Sequence, residues 1–586
     1  MCLVIIALCS KAFAQQKYNL DFDNFDSEKE VMPEGWFKWG SYKNLNGENV
    51  SGEKLNDKNY VGKVVSNEKG KFGCITYKIP ANYVGDTIRL SGRIKYENVK
   101  GFVGLLMRVD GSGKNKSLAF ESMQRLKIKG TNDWKEYSIQ IPYPNGAENI
   151  YVGGILGGKG TAWFDDFKIT MDGKDIETIK EKPKLYLKDY QPNKLNSAIS
   201  KSSVPIDLVT EDSILTSLNP LIEKLSNKRI VSIGESTHGT SEFYRLREII
   251  TKKLIEEKGF NLVVLESPYD DIELLNEGLL KSTLDSLIQN HLLSIYQTKE
   301  MKSFLEWYKD NRLSFGIRFK GCDDSVWAFY QLLTNQIGTL NDQKLNKLLS
   351  DLKSNITKIT NANLKNEYKF GIEIYNNILA IEKYLKLTDN LSEPVKEILF
   401  NGKNTYINYI NVNHKKRIQS RDEIMADRIE YFAKDKSNKI IVWAHNAHIS
   451  NEILADDIGR MGRDLKQKFG DEYHSIALTT LQGSYSFIDE KFINGDHFYN
   501  DKLRKADILS IETPLWENIF ALNGNSFYLN LSALKNELKT DEINGPIRFI
   551  GYHKESNENI YWLPFAKYFD SLIFVNNTNA TRPLLD

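Results

Sequence analysis

The sequence predicts a multidomain chain: an N-terminal antiparallel β-sandwich of jelly-roll type, then a three-layer α/β domain carrying a large helical insertion. Three observations carry that expectation. From about Tyr18 to Asp172, short runs such as Thr87-Ile-Arg-Leu-Ser-Gly-Arg-Ile-Lys-Tyr96 and Trp134-Lys-Glu-Tyr-Ser-Ile-Gln-Ile141 alternate in polarity, with Gly, Asn and Asp between them; period-two alternation with regular turns marks half-buried strands. Beyond about Asn196 the pattern changes to short apolar runs separated by helical periodicity, which reads as a mostly parallel sheet. Between Asp270 and Asp435 the helical periodicity continues far longer than a simple crossover requires.

In chain order, residues 1–14 form the first element. The apolar run Leu3-Val-Ile-Ile-Ala-Leu8 continues into Cys9-Ser-Lys-Ala-Phe-Ala14, a small-x-small ending that resembles a signal peptidase site before Gln15 and predicts export to the periplasm or beyond. The usual basic n-region is missing, and Leu8 before Cys9 makes a poor lipoprotein site. No other apolar run reaches the roughly 20 residues that span a bilayer, so no transmembrane segment is expected. Cys2 and Cys9 fall in this signal, leaving Cys74 and Cys322 far apart; no disulfide framework follows, and domains of this size need none.

Residues 15–172 form the predicted sandwich. The segments Asn19-Leu-Asp-Phe-Asp23, Gly35-Trp36, Trp134 and Gly160-Thr-Ala-Trp-Phe-Asp-Asp-Phe167 resemble the carbohydrate-binding-module-like domains appended to exported enzymes. A polysaccharide partner is the corresponding expectation. Trp36, Trp39 and Trp163 are candidates to stack on sugar rings, although core packing is the commoner use of tryptophan in a sandwich. Asp165 and Asp166 read as a turn cluster ahead of a calcium site. Residues 173–195 are charged and aperiodic, as a linker would be.

Residues 196–586 form the α/β domain. Its predicted strands are Arg229 to Gly234, Asn261 to Leu265, Ile317 to Lys320, Ile440 to Trp443, Ser475 to Thr480, Ile547 to Gly551 and Ser571 to Val575. Predicted helices of the insertion include Leu279 to Tyr296, Met301 to Asn311, Asp342 to Ile356, Asn366 to Leu385 and Ser420 to Ala433. No fixed-period repeat signals a solenoid. The 586 residues exceed what one core organises. Lys plus Arg number 78 against 77 Asp plus Glu, a net charge of +1, which argues against nucleic acid or a strongly acidic partner and favours a small or neutral ligand.

The chemistry concentrates where apolar strands end. Val231-Ser-Ile-Gly-Glu-Ser-Thr-His-Gly-Thr-Ser-Glu-Phe-Tyr-Arg-Leu-Arg247 places Glu235 and His238 just past one predicted strand, with Arg245 and Arg247 on the following helix. Ile440-Ile-Val-Trp-Ala-His-Asn-Ala-His448 places His445 and His448 past another, and Glu266 ends a third. Open α/β sheets build their sites at the carboxyl ends of strands, and a carboxylate at that edge is costly unless paired. Only eight histidines occur, and three of them lie there.

Two chemical readings fit these residues. In one, a neutral imidazole takes a proton from water as it attacks a carbonyl, a carboxylate fixes the tautomer, and an arginine or second histidine offsets the oxyanion. In the other, Glu235, His238, His445 and His448 surround a divalent metal that generates hydroxide. The His-x-x-His spacing matches no diagnostic zinc signature. A serine nucleophile at Ser236 or Ser241 is the weaker option, because the loop lacks Gly-x-Ser-x-Gly. Arg245 and Arg247 do not share a helix face, so one of them is expected to be structural.

Taken in order, Gly234-Glu-Ser-Thr-His-Gly-Thr240 with Glu242 and Arg247, Glu266, Asp323 in Gly-Cys-Asp-Asp, Arg421-Asp422 with Met425-Ala426, Trp443-Ala-His-Asn-Ala-His448 and Met461-Gly462 resemble the erythromycin esterase family over about residues 200–586. The resemblance implies a three-layer α/β hydrolase with a helical lid, acting on a small-molecule ester, the lactone of a macrolide in the family's antibiotic-resistance members, with no cofactor required. It also implies roles: His238 as the base activating water, Glu235 and Glu266 orienting it, Arg247 supporting the carboxylates, His445 and His448 lining the cleft. The family's resistance enzymes are cytoplasmic and have no appended sandwich, so an ester on a glycan or another natural product is an equal candidate substrate. The rival expectation from another class is an envelope protein whose sandwich grips a glycan while His445 and His448 hold haem or metal without catalysis.

Overall fold

The computed structural model describes residues 17–585 apart from 26–29, 41–49, 57–58, 68–70, 112–116, 145, 182–184, 325–327, 339–341, 361–363, 415, 455–458, 489, 494–495, 500–501, 512 and 557–558. The export signal predicted at residues 1–14 lies outside the described residues. Two compact units are present, Met1–Lys184 and Leu185–Asp586.

The first unit is a sandwich of two antiparallel sheets. One runs in the order Trp36–Gly40, Phe72–Pro80, Asn149–Gly157, Phe102–Asp110, Ser117–Glu121; the other in the order Val50–Asn56, Asn59–Ser66, Gly160–Met171, Thr87–Val99, Gly130–Pro142, with Lys174–Asp175 paired on its central strand. Alternation turns every second residue inward, so Ile75, Leu105 and Val152 of the first sheet meet Val64, Leu90, Ile94 and Phe164 of the second in one core. Trp36 joins that core, its ring stacked on Phe22 at 4.0 Å and its indole N–H donated to the Asn19 carbonyl at 2.7 Å. Trp39 and Trp163 are only partly buried. Trp163 donates to Glu53 at 3.0 Å and lies under the ammonium groups of Lys63 and Lys95.

The second unit is three-layered. Its main sheet runs Ser203–Pro205, Ser526–Asn530, Ser571–Thr578, Tyr473–Phe487, Ile230–Ile233, Ile440–Trp443, Leu262–Pro268, Arg318–Asp323. The six strands from Ser571–Thr578 onward are parallel, and the first two pair antiparallel at the edge. Consecutive residues leave a strand on opposite faces, and the two faces are buried separately. Ile230, Leu262, Val264, Ile440 and Val442 pack with helices Pro192–Ser202, Arg421–Phe432 and Arg460–Phe469. Val231, Val263, Leu265, Ile441 and Trp443 pack with helices Glu211–Leu225, Ser241–Lys258 and Lys299–Asn311. Continuous apolar runs in these strands follow from burial on both sides.

The insertion supplies helices Phe329–Ile337, Gln343–Ile359, Leu364–Leu387 and Glu393–Asn413. Leu345, Leu352, Ile374, Ile378 and Leu399 belong to the same core as the first sheet face, so the block extends one helical layer. No helix among the described residues is long and apolar enough to cross a membrane.

Three sequence expectations change. The run from Leu279 to Tyr296 is not one helix: Tyr269–Gly278 ends before it, and Thr283 starts Leu284–His291 by accepting the Ser286 amide at 3.3 Å. The strand at Ile547 to Gly551 is shifted to Ile543–Arg548 and joins Leu185–Tyr186 and Ile560–Leu563 in a separate small sheet; Pro546, with no N–H, lies past the Ile543 and Asn544 pairing to Leu185–Tyr186 and is paired on one side only. The main sheet instead takes Ser526–Asn530, too short and too flanked by polar residues to stand out.

Candidate active site

The strand order brings the predicted residues together. Ile230–Ile233, Ile440–Trp443, Leu262–Pro268 and Arg318–Asp323 are successive neighbours, and their carboxyl ends carry Glu235 with His238, His445 with His448, Glu266, and Asp323 respectively. Helix Arg421–Phe432 adds Arg421 and Asp422 from its first turn, which starts at a capping box between Ser420 and Glu423. Two glycines let the first loop lie this close to its neighbours. A Cβ on Gly234 would fall 2.0 Å from Asn446 Oδ1, and one on Gly239 would fall 1.9 Å from the Ser486 carbonyl oxygen, distances only a glycine avoids. Asn446 in turn bridges to the next strand, donating to the Leu478 carbonyl at 2.9 Å and accepting its amide at 3.2 Å.

His238 stands in a buried relay. Its Nδ1–H donates to Glu235 Oε1 at 2.7 Å, and Glu235 Oε2 is ion-paired with Arg247 Nη1 at 2.8 Å. Glu235 and Arg247 are fully buried. Arg247 does more than neutralise the carboxylate: Nε donates to the Gly234 carbonyl at 3.2 Å, and Nη2 to the Ile233 and Ala444 carbonyls at 3.1 and 2.8 Å. One guanidinium thus ties two strand ends to the carboxylate that orients the imidazole. With Nδ1 committed, the lone pair of His238 sits on Nε2, for which no hydrogen-bond partner occurs among the described residues. Tyr296 and Tyr552 flank the ring at 6.1 and 5.8 Å between centroids.

The other two imidazoles continue the row, His445 at 5.2 Å from His238 and His448 at 6.4 Å from His445, between centroids. Burial, and then the neighbouring His238 and His448, hold the His445 pKa well below the ordinary imidazole value, so its ring is neutral. A neutral ring has one acceptor nitrogen. Of the two amides near it, Ala447 at Nδ1 and Gly551 at Nε2, both at 3.2 Å, Ala447 is the partner, because the Ser236 carbonyl 3.3 Å from Nε2 fixes the proton there.

His448 is the opposite case. Burial works against its charge, but Asp422 and Glu266 outweigh it and raise its pKa to about 10. Both ring N–H groups are taken, Nδ1 by Asp422 Oδ1 at 2.7 Å and Nε2 by Glu266 Oε1 at 3.2 Å. Burial alone would push the Glu266 carboxyl up, yet His448 and then Arg421 hold it well below the usual range. Its second oxygen accepts the His445 amide at 2.9 Å. Arg421 binds Glu266 at 3.0 Å and Asp323 through two nitrogens, and keeps 46% of its side chain exposed, so the cluster meets solvent at this guanidinium.

A pH dependence follows from His448. A folded-state pKa raised from 6.5 to about 10 contributes stability that is complete below about pH 6.5 and is lost as the pH rises through 10. Thermal melts from pH 6 to 10.5 are expected to show a falling midpoint over that window, and His448→Asn is expected to flatten the fall. An unchanged slope in the variant would contradict the cationic assignment.

The structure therefore gathers Glu235, His238, Arg247, Glu266, His445 and His448 at one sheet edge. Arg245 is excluded: it donates to the Leu208 and Val209 carbonyls on the protein surface. Among the remaining histidines, His474 is buried against Ser571 Oγ at 2.9 Å with its pKa lowered to about 3, and His291 lies 3.7 Å from Asp271 away from the cluster. Sequence reasoning did not assign Asp323, Arg421 and Asp422 to the site. Their signal was the motif order alone, since a first-turn Arg-Asp pair is ordinary in helices. The two flanking tyrosines carried no signal at all.

The erythromycin esterase family model matches residues 255–578. The erythromycin esterase type II of Escherichia coli is 22% identical over 399 residues, 59% of this chain and 92% of that protein. A solved succinoglycan biosynthesis protein superposes with a TM-score of 0.54 at 19% identity, covering 67% of this chain and 98% of the other. A Bacillus cereus protein of solved structure gives 0.55 at 20% identity, covering 67% and 99%; both show the same fold. With more than half its length matched by the family model and an imidazole–carboxylate cluster at the carboxyl edge of the shared sheet, the chain belongs to the erythromycin esterase family and is an esterase-like hydrolase.

Proposed function

We propose that this hydrolase cleaves a carboxylic ester by attack of water that His238 deprotonates. The observation carrying this reading is the relay Arg247–Glu235–His238, which fixes one imidazole nitrogen and leaves Nε2 unengaged. As the proton moves to Nε2, Glu235 stabilises the imidazolium. In this reading Arg421, whose Nη1 is engaged by no carboxylate and lies 3.4 Å from His448 Nε2, meets the oxyanion and later the carboxylate product. Every nitrogen of His445 and His448 is already paired with a protein group, so a metal would have to displace these partners, and the reading uses none. Hydrolysis is expected to be unchanged by a chelator; loss on chelation with recovery on adding a divalent cation would restore the metal reading.

The substrate reading is a lactone or ester of a natural product. A macrolide lactone is supported by the likeness to the erythromycin esterase of E. coli, and an acylated glycan by the features of the first unit. Incubation with a fourteen-membered macrolide and with O-acetylated oligosaccharides, followed by mass analysis, separates them. A ring-opened macrolide acid supports the first and released acetate the second; turnover of other esters alone would remove both.

For the first unit we infer saccharide binding at the outer face of the five-stranded sheet. A recess of about 570 Å³ is lined there by Trp39, Phe72, Phe102, Phe120, Arg108 and Gln124, and Cys74, Leu106 and Ile155 make its floor apolar. The Arg108 guanidinium lies 5.1 Å from the Trp39 ring centre and is held by Asp110, so an aromatic platform and fixed donors stand side by side. In the full-length protein, Trp39→Ala is expected to weaken polysaccharide retention by about tenfold or more, the effect of losing an anchoring aromatic. Equal retention by both proteins would argue against this face.

A further inference from the structure

The residues assigned to the hydrolysis leave a buried charged pair unexplained. Arg548 and Glu555 are each 1% exposed at their side chains and ion-paired at 2.6 Å. Arg548 Nη1 donates to the Leu481 carbonyl at 3.0 Å and Nη2 to the Leu509 carbonyl at 2.8 Å, while its own amide donates to Glu517 at 3.0 Å. Glu555 accepts the Leu509 amide at 2.8 Å, and its amide donates to the Tyr485 hydroxyl at 2.6 Å. Both ends of the segment between them are therefore fixed.

That segment lies against the imidazole row. The Ile550 amide donates to the Ser236 carbonyl at 2.7 Å, and the His238 amide donates to the Gly551 carbonyl at 3.0 Å. Phe549 meets the His445 ring edge-on at 5.9 Å, and the Tyr552 ring lies 5.8 Å from that of His238. Gly551 has φ +72°, a left-handed turn that glycine adopts without strain and that the two ends must hold in place. Four consecutive residues thus touch either the loop carrying His238 or an imidazole.

We propose that Arg548 and Glu555 are positioning residues for the hydrolysis: a buried clasp that holds Phe549 to Lys554 across the imidazoles and so sets the reactivity of His238. Stability alone is a weak reason for such a pair, because a buried ion pair loses its hydration, and apolar residues of similar volume often serve as well or better. Geometry is the stronger reason. The planar guanidinium serves three acceptors in fixed directions, which a lysine ammonium does not reproduce. A slackened clasp frees the Gly551 carbonyl that locates the His238 backbone and the Tyr552 ring that walls its side chain. The proposal rests on His238 being the base.

The test reads His238 directly and needs no substrate. In the full-length protein, carbethoxylation by diethyl pyrocarbonate is followed across pH with peptide mass mapping, His291 serving as the internal control. Arg548→Lys and Glu555→Gln are expected to change the His238 modification rate at least threefold and to shift its pH midpoint, with His291 unchanged. A double variant, Arg548→Met with Glu555→Leu, removes both charges of the pair together and covers the case in which a single variant does not fold; it is expected to show the same change at His238. A lowered melting temperature with an unaltered His238 profile would overturn the proposal. Undiminished hydrolysis by His238→Ala would remove the base assignment instead, and is scored independently of this profile.

Discussion

Replacing His238 by alanine is expected to lower ester hydrolysis by about 10²- to 10⁴-fold, the range for loss of a positioned general base, with little change in fold. The second half follows from the wiring. Among the described residues the imidazole hydrogen-bonds to Glu235 alone, and removing the ring leaves that carboxylate still paired with Arg247 at 2.8 Å. No buried charge is orphaned, so the large penalty for breaking a buried pair does not apply. Matching circular dichroism with lost turnover is the expected combination. Retention of most activity would refute the base, and unfolding would show that the ring supports the loop mechanically.

Replacing Arg247 by methionine is expected to have the largest effect on stability of any single change at the site. The substitution strands Glu235, which has no exposed surface, and unbinds the carbonyls of Ile233, Gly234 and Ala444. Breaking a buried pair in this way costs about 3–5 kcal/mol, a large part of the 5–15 kcal/mol of an ordinary domain. Lysine in its place keeps the charge but has one ammonium where four acceptors wait, so Arg247→Lys is expected to rescue only part of the loss. Adding Glu235→Gln to Arg247→Met removes the orphaned charge, and the double variant is expected to be more stable than Arg247→Met alone. Chemical denaturation of the wild type, Arg247→Met, Glu235→Gln and the double variant gives the cycle; additive losses would mean that the two side chains are not coupled.

The fold class was legible because two periods are written plainly into the chain. Alternation over residues such as Thr87 to Tyr96 dictates a half-buried sheet, and runs such as Ile440 to Trp443 dictate a strand covered on both faces. The helical insertion was visible from its length. Edge strands were not: Ser203–Pro205 and Ser526–Asn530 are short and take their structure from Ser571–Thr578 beside them. Thr283 was a legible helix start that the apolar periodicity across it concealed.

The site divides in the same way. Glu235, His238, Glu266, His445 and His448 declare themselves because each follows an apolar strand directly. Arg421 and Asp422 open a helix far along the chain, and only the three-dimensional order of strands makes them neighbours of Glu266 and His448. The charge of His448 was likewise invisible, since it depends on two carboxylates 26 and 182 residues away in sequence pressed against one ring. The use of Arg247 as a backbone clamp is a property of carbonyl positions, which no side-chain pattern encodes. Of the three tryptophans weighed as sugar platforms against the commoner core packing, Trp36 is core, while Trp39 faces the recess.

The most direct measurement of the central claim is hydrolysis in H₂¹⁸O by the wild-type protein beside His238→Ala, with the label located in the carboxyl or the hydroxyl group by fragmentation mass spectrometry. Attack of His238-activated water on the acyl carbon predicts one ¹⁸O in the acid, none in the alcohol, and label incorporation that collapses in the variant. Label in the alcohol, or equal incorporation by the two proteins, would contradict it.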